Sequence, residues 1–124
     1  MVETAGSASP ARAEGLHVGV DRRAGWTVLY LCGELDVATG LVLQEQLDEA
    51  VRTARQQAVP PQVVLELSDL VFCDSSGLNA LIRGWRQVAA AGGRMLLVNV
   101  RERIYRLLTL TGLDRHLVVG ATLP

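Results

Sequence analysis

Apolar residues along the chain change period several times, and each change marks an element. Leu16-His17-Val18-Gly19-Val20 alternates with period two, and after the turn chemistry of Asp21 to Gly25 comes Trp26-Thr27-Val28-Leu29-Tyr30-Leu31-Cys32. The two runs predict an antiparallel strand pair. Gly33-Glu34-Leu35-Asp36 reads as the break that ends the second strand. Apolar positions then recur at Leu43, Leu47, Ala50, Val51, Ala54 and Ala58, the spacing of one helical face, with Pro60-Pro61 as the stop. Val63 to Leu67 is continuous enough to predict a buried strand, followed by a turn at Ser68-Asp69 and a short apolar stretch to Cys73.

A second helix is expected from Asp74-Ser75-Ser76-Gly77 to about Ala91, with Leu78, Leu81, Ile82, Trp85, Val88 and Ala89 on one face and Gly92-Gly93 closing it. Met95 to Val98 predicts a strand, Glu102 to Thr111 a third helix carrying Ile104, Leu107 and Leu108, and Leu117 to Val119 a last strand after Gly112. Two strands followed by three helix-strand units describe an α/β domain: a mixed, mostly parallel sheet of about five strands with three main helices. Residues 1–14 are rich in Ala, Ser, Gly and Glu without apolar period, which reads as a flexible tail before a domain over 15–124. At 124 residues the chain is long enough for one core and too short for two. Its apolar faces can all be consumed by that core and no heptad seam is left over, so a monomer is expected when the protein is free.

Charge narrows the function classes. All positive charge comes from Arg, and it nearly balances the acids to leave a formal charge of -1. That balance, with aromatics at 4%, gives no basic patch and no stacking platform for nucleic acid. Arg101, Arg103 and Arg106 on the third helix read as a solvated face. Cys32 and Cys73 sit in apolar surroundings, and the N-terminus lacks a signal-peptide pattern. The expectation is a cytoplasmic protein with reduced, structural thiols and no membrane span.

The chemistry concentrates at Asp74-Ser75-Ser76-Gly77-Leu78, where a strand gives way to a helix. Backbone N–H groups point outward unpaired at such a place, and the helix dipole favours negative charge, so a phosphorylated hydroxyl would find donors. The same residues also fit a purely structural role, with Asp74 or Ser75 capping the helix and Gly77 letting another backbone approach.

Three stretches in order, Gly33-Glu34-Leu35-Asp36, Asp74-Ser75-Ser76-Gly77-Leu78 and Leu107 through Thr111-Gly112-Leu113-Asp114, make the chain resemble the STAS family of anti-sigma factor antagonists from about Leu16 to Val119. The resemblance implies a regulator of sigma-factor-dependent transcription. Unphosphorylated, it would bind an anti-sigma factor that is also a serine kinase; phosphorylation at Ser75 would release it, and a protein phosphatase would reset it. Glu34, Asp36, Asp74, Ser76, Gly77 and Asn79 would form the partner surface. Cys73 and Asn79 depart from the residues usual at those places. STAS domains also occur as subunits of stress-signalling complexes and of membrane lipid or anion transport systems, which is the alternative reading. Phosphoserine adds about 1.5 to 2 negative charges, and beside Asp74, Glu34 and Asp36 it would oppose docking.

Catalysis is the rival class. Ser75 or Cys73 as a nucleophile at a helix N-terminus lacks a base, since His17 and His116 lie at opposite ends of the chain in or beside outer strands. Asp74 as a phosphate acceptor lacks the acidic pair that would hold magnesium, no metal-ligand cluster is visible, and Gly92-Gly93 matches no phosphate-loop spacing. Trp26 and Trp85 read as packing residues. No enzyme activity, cofactor or metal is expected.

Overall fold

The computed structural model describes residues 11–13, 15–115 and 117–120. A sheet of six strands carries three helices in the order β1 (Ala11–Ala13), β2 (Leu16–Arg23), β3 (Trp26–Leu35), α1 (Gly40–Gln56), β4 (Gln62–Cys73), α2 (Ser75–Ala90), β5 (Arg94–Val98), α3 (Glu102–Thr111), a 3-10 turn (Leu113–Arg115) and β6 (Val118–Gly120). Spatial order equals chain order, β1-β2-β3-β4-β5-β6. The pairs β1/β2 and β2/β3 are antiparallel, and β3/β4, β4/β5 and β5/β6 are parallel.

This topology fixes where the helices go. Each parallel crossover steps in the same direction across the sheet, and a common right hand then sets every crossover helix on the same face. The buried residues agree, since Leu43 and Leu47 of α1, Leu78 and Leu81 of α2 and Ile104 and Leu108 of α3 share one core with Leu29, Leu31, Leu65 and Leu97 of the sheet. Each such leucine contributes roughly 1.5–3 kcal/mol when fully buried. The opposite face carries a smaller cluster of Trp26, Val28, Val64 and Val98. Trp26 is a packing residue there, with the Arg94 guanidinium 5.2 Å from its ring centroid.

Several boundaries differ from those the pattern predicts. β3 does not break at Gly33 but continues through Glu34 to Leu35, and β4 does not turn at Ser68-Asp69 but runs on to Cys73. The two strands keep each other extended: Cys32 lies opposite Asp69, Glu34 opposite Phe72 and Leu35 opposite Cys73, with register shifts that absorb the polar residues as bulges. α1 ends before Ala58, which adopts φ 58°, and Ala89 of α2 is exposed. β1 falls within the stretch read as tail. Its backbone pairs with β2, Arg12 opposite His17, a bond that needs no side-chain pattern. Gly92 ends α2 with φ 81° as expected of a helix stop.

Candidate functional site

The parallel pairing of β3 with β4 brings Glu34-Leu35-Asp36 and Asp74-Ser75-Ser76-Gly77 to the same end of the sheet. This is the carboxyl end of its parallel strands, where α/β sheets place their sites. Asp74 is the N-cap of α2: its backbone is extended and its Oδ1 accepts the Gly77 N–H at 2.9 Å. The Asp74 N–H in turn donates to the Leu35 carbonyl at 3.4 Å, and the Leu78 N–H closes the first turn on the Asp74 carbonyl at 2.9 Å. The structural role weighed for Asp74 is therefore present, and it serves to fix the start of the helix.

Gly77 is dictated by closeness. A Cβ there would lie 2.3 Å from the Leu35 carbonyl oxygen and 2.8 Å from Cys73 Sγ, so only glycine lets α2 start against the end of β3. With the cap and Gly77 set, Ser75 is the first helical residue and is exposed, whereas Ser76 is half-buried. The Ser75 hydroxyl makes no hydrogen bond among the described residues. The first-turn N–H groups beyond the capped one have no intrahelical acceptor.

Asp36 is engaged by the turn that follows it. Its Oδ1 accepts the backbone N–H groups of Ala38 and Thr39, each at 3.0 Å, and the Thr39 hydroxyl lies 3.1 Å away. The Thr39 hydroxyl oxygen also accepts the Asp36 N–H at 2.9 Å and lies 2.9 Å from the Glu34 carbonyl. The Thr39 N–H, ahead of the partly opposing desolvation, holds the Asp36 carboxyl below its ordinary value. Asp36 thus locks the turn that starts α1, while Glu34 stays exposed on β3.

Asp36 and Ser76 also line a recess of about 120 Å³ with Val37, Gly40, Leu41, Asn79 and Arg83. Val37 and Leu41 are 77% and 70% exposed, which leaves two large apolar side chains in water beside the α2 start. Sequence reasoning missed Val37, Leu41 and Arg83. The signal was there: Leu41 falls off the buried α1 face, and Ser76, Asn79 and Arg83 recur at helical spacing three and then four.

Burial pushes the Cys73 thiol up to about 12, with the adjacent Asp74 carboxylate adding to it, so the helix N-terminus does not yield a thiolate. Cys32 is exposed and Cys73 buried, and both are free. His17 is half-buried opposite Cys32 on β2, and His116 lies outside the described residues. Trp85 packs partly buried against the main core. Arg101 donates to the Ser68 carbonyl at 2.8 Å, and Arg106 pairs with Glu102 at 3.1 Å. Among the described residues no group of three or more His, Cys, Asp or Glu is placed to hold a metal ion, and no helix is long and apolar enough to cross a membrane.

With this geometry in view, comparison with known proteins is specific. A family model for the STAS domain matches residues 17–124. The chain is 34% identical over 98 residues to an anti-sigma F factor antagonist of Paenibacillus polymyxa, covering 79% of this chain and 80% of the relative. It is 34% identical over 91 residues to the anti-sigma-B factor antagonist of Bacillus subtilis, covering 73% and 78%. Among solved structures, an anti-sigma factor antagonist from Mycobacterium paratuberculosis superposes with a TM-score of 0.75 at 26% identity, over 91% of this chain and 92% of that one. The chain belongs to the STAS domain family.

Proposed function

We propose that this protein is an anti-sigma factor antagonist that acts by reversible protein binding and not by catalysis. Unphosphorylated, it binds an anti-sigma factor that is also a serine kinase and so frees a sigma factor; phosphorylation of Ser75 releases it, and a protein phosphatase restores it. It works as a cytoplasmic, monomeric domain of residues 15–124 without cofactor, and without direct contact with nucleic acid or membrane. The observation that carries this reading is the exposed Ser75 as the first residue of α2, next to Ser76, which shares a recess with the uncovered Val37 and Leu41, in a chain whose relatives are named antagonists.

The physics supports Ser75 over Ser76 as acceptor. A kinase must draw the hydroxyl into its own site, and Ser75 is exposed while Ser76 is half-buried and lines the recess with Asp36 and Gly40. A phosphate on Ser75 brings about 1.5 to 2 negative charges next to Asp74 and bulk onto the contact surface. Glu34, Asp74, Ser76, Gly77 and Asn79 set the shape of that surface, and Asp36 acts through the turn it locks. The experiment is incubation with the cognate kinase and ATP followed by mass-spectrometric mapping. One phosphate on Ser75, lost in Ser75→Ala, is expected; a phosphate on Ser76 that persists in Ser75→Ala would overturn the assignment.

A further inference from the structure

A second apolar surface lies apart from Val37 and Leu41, and the reading above makes no use of it. β4 supplies Phe72 and Cys73, and α3 supplies Ile104, Leu107 and Leu110, to a groove of about 280 Å³ that Arg103 and Arg106 also line. Leu110 is 77% and Phe72 43% exposed, so the apolar wall is uncovered on both elements. Val71 of β4 and Tyr105 of α3 are exposed as well.

The charge at this groove is one-sided. Arg103 and Arg106 are both exposed, and an Arg at the edge of an apolar groove can cover apolar surface with its stem while the guanidinium stays in water. Arg103 has no ion pair among the described residues. Arg106 shares Glu102 at 3.1 Å, but both side chains are largely exposed, and such a pair is weak and readily exchanged. A cationic mouth over an apolar floor calls for an occupant with carboxylates around a bulky apolar group. The volume lies just below the range of cavities that enclose a small molecule, which favours one or two anchoring side chains of a protein over a buried ligand.

Position selects the partner. The groove's β4 wall ends at Cys73, two residues before Ser75 on the same continuous backbone. We propose that the groove receives an acidic, apolar segment of the anti-sigma factor, with an aliphatic or aromatic side chain between Phe72 and Leu110 and carboxylates answering Arg103 and Arg106. This rests on the functional reading above and adds a second contact to it. Seated there, the segment holds its protein close to Ser75 and raises the effective concentration of the kinase at its target.

The test has two arms. In the first, NMR of the isotope-labelled full chain follows titration with an amphipathic peptide of Leu and Glu, with its Lys-for-Glu counterpart, and with dodecanoate. The acidic peptide is expected to move the amides of Phe72, Ile104, Leu107 and Leu110 saturably, about tenfold more weakly in Leu110→Asp and in Arg103→Glu. The counterpart and dodecanoate are expected to leave them still. In the second arm, the anti-sigma factor recovered from the producing cells is titrated with wild type and Leu110→Asp, whose urea midpoints are compared as a check on folding. A roughly tenfold loss of affinity in Leu110→Asp is expected, with release on Ser75 phosphorylation retained in that variant as in the wild type. Still α3 amides with the acidic peptide, movement with dodecanoate or the basic peptide, or wild-type affinity in Leu110→Asp would overturn the groove assignment alone. A wild type that binds no anti-sigma factor would sink the functional reading and this contact with it.

Discussion

Ser75 is presented by the two residues that fix the start of α2. Asp74 satisfies the Gly77 N–H, and Gly77 seats that first turn against the Leu35 carbonyl, so the hydroxyl of Ser75 is held outward by backbone geometry. Gly77→Ala forces a Cβ to within 2.3 Å of that carbonyl oxygen. Overpacking of this kind costs about 1–3 kcal/mol, so urea unfolding should show a lower midpoint at unchanged slope. Cys73 makes a complementary case for the residue scale. A thiol raised to about 12 from its ordinary 9.0 stabilises the fold fully below pH 9, and that contribution is lost as pH rises toward 12. At pH 8, iodoacetamide should therefore label exposed Cys32 in the native protein and spare Cys73; labelling of both at equal rates would refute the buried, protonated thiol.

Among the elements, the turn between β3 and α1 depends most on one ionisation. Asp36 accepts two backbone N–H groups there, so its folded pKa is depressed below the ordinary 3.8. A depressed carboxylate contributes its stability in full well above the unfolded value and loses it as pH falls through the folded one. The acid limb of a stability profile should consequently be flatter in Asp36→Asn than in wild type. An NMR titration should place the Asp36 midpoint below those of exposed carboxylates. The three helices were legible from apolar spacing alone, because each buries one face. The ends of β3 and β4 were not. Gly33, Ser68 and Asp69 carry turn chemistry, yet strand pairing across the sheet keeps them extended, and a window of local sequence contains no information about a partner strand. β1 was illegible for the same reason, since main-chain pairing leaves no mark in the local sequence.

For the molecule as a whole, sequential strand order puts all three helices on one face and gathers the two acidic motifs at one end of the sheet. The sequence already held both motifs and the serine within the second of them. It did not reveal that Val37 and Leu41 stand in water at a recess shared with Ser76, since apolar residues off a helical face read as noise until the neighbouring turn is placed. Nor did it show Arg83 beside Ser76 and Asn79, a cation within a surface expected to be acidic. Under the proposed function, Ser75 controls attachment through charge and bulk. The measurement that bears on it most directly is a binding titration of the anti-sigma factor at one salt concentration. It would use wild type, Ser75→Ala, Ser75→Glu and the protein phosphorylated on Ser75. Wild type and Ser75→Ala should bind alike, Ser75→Glu more weakly because one carboxylate imitates a phosphate only in part, and the phosphorylated protein weakest of all. Equal affinity for the phosphorylated and unmodified proteins would contradict the account.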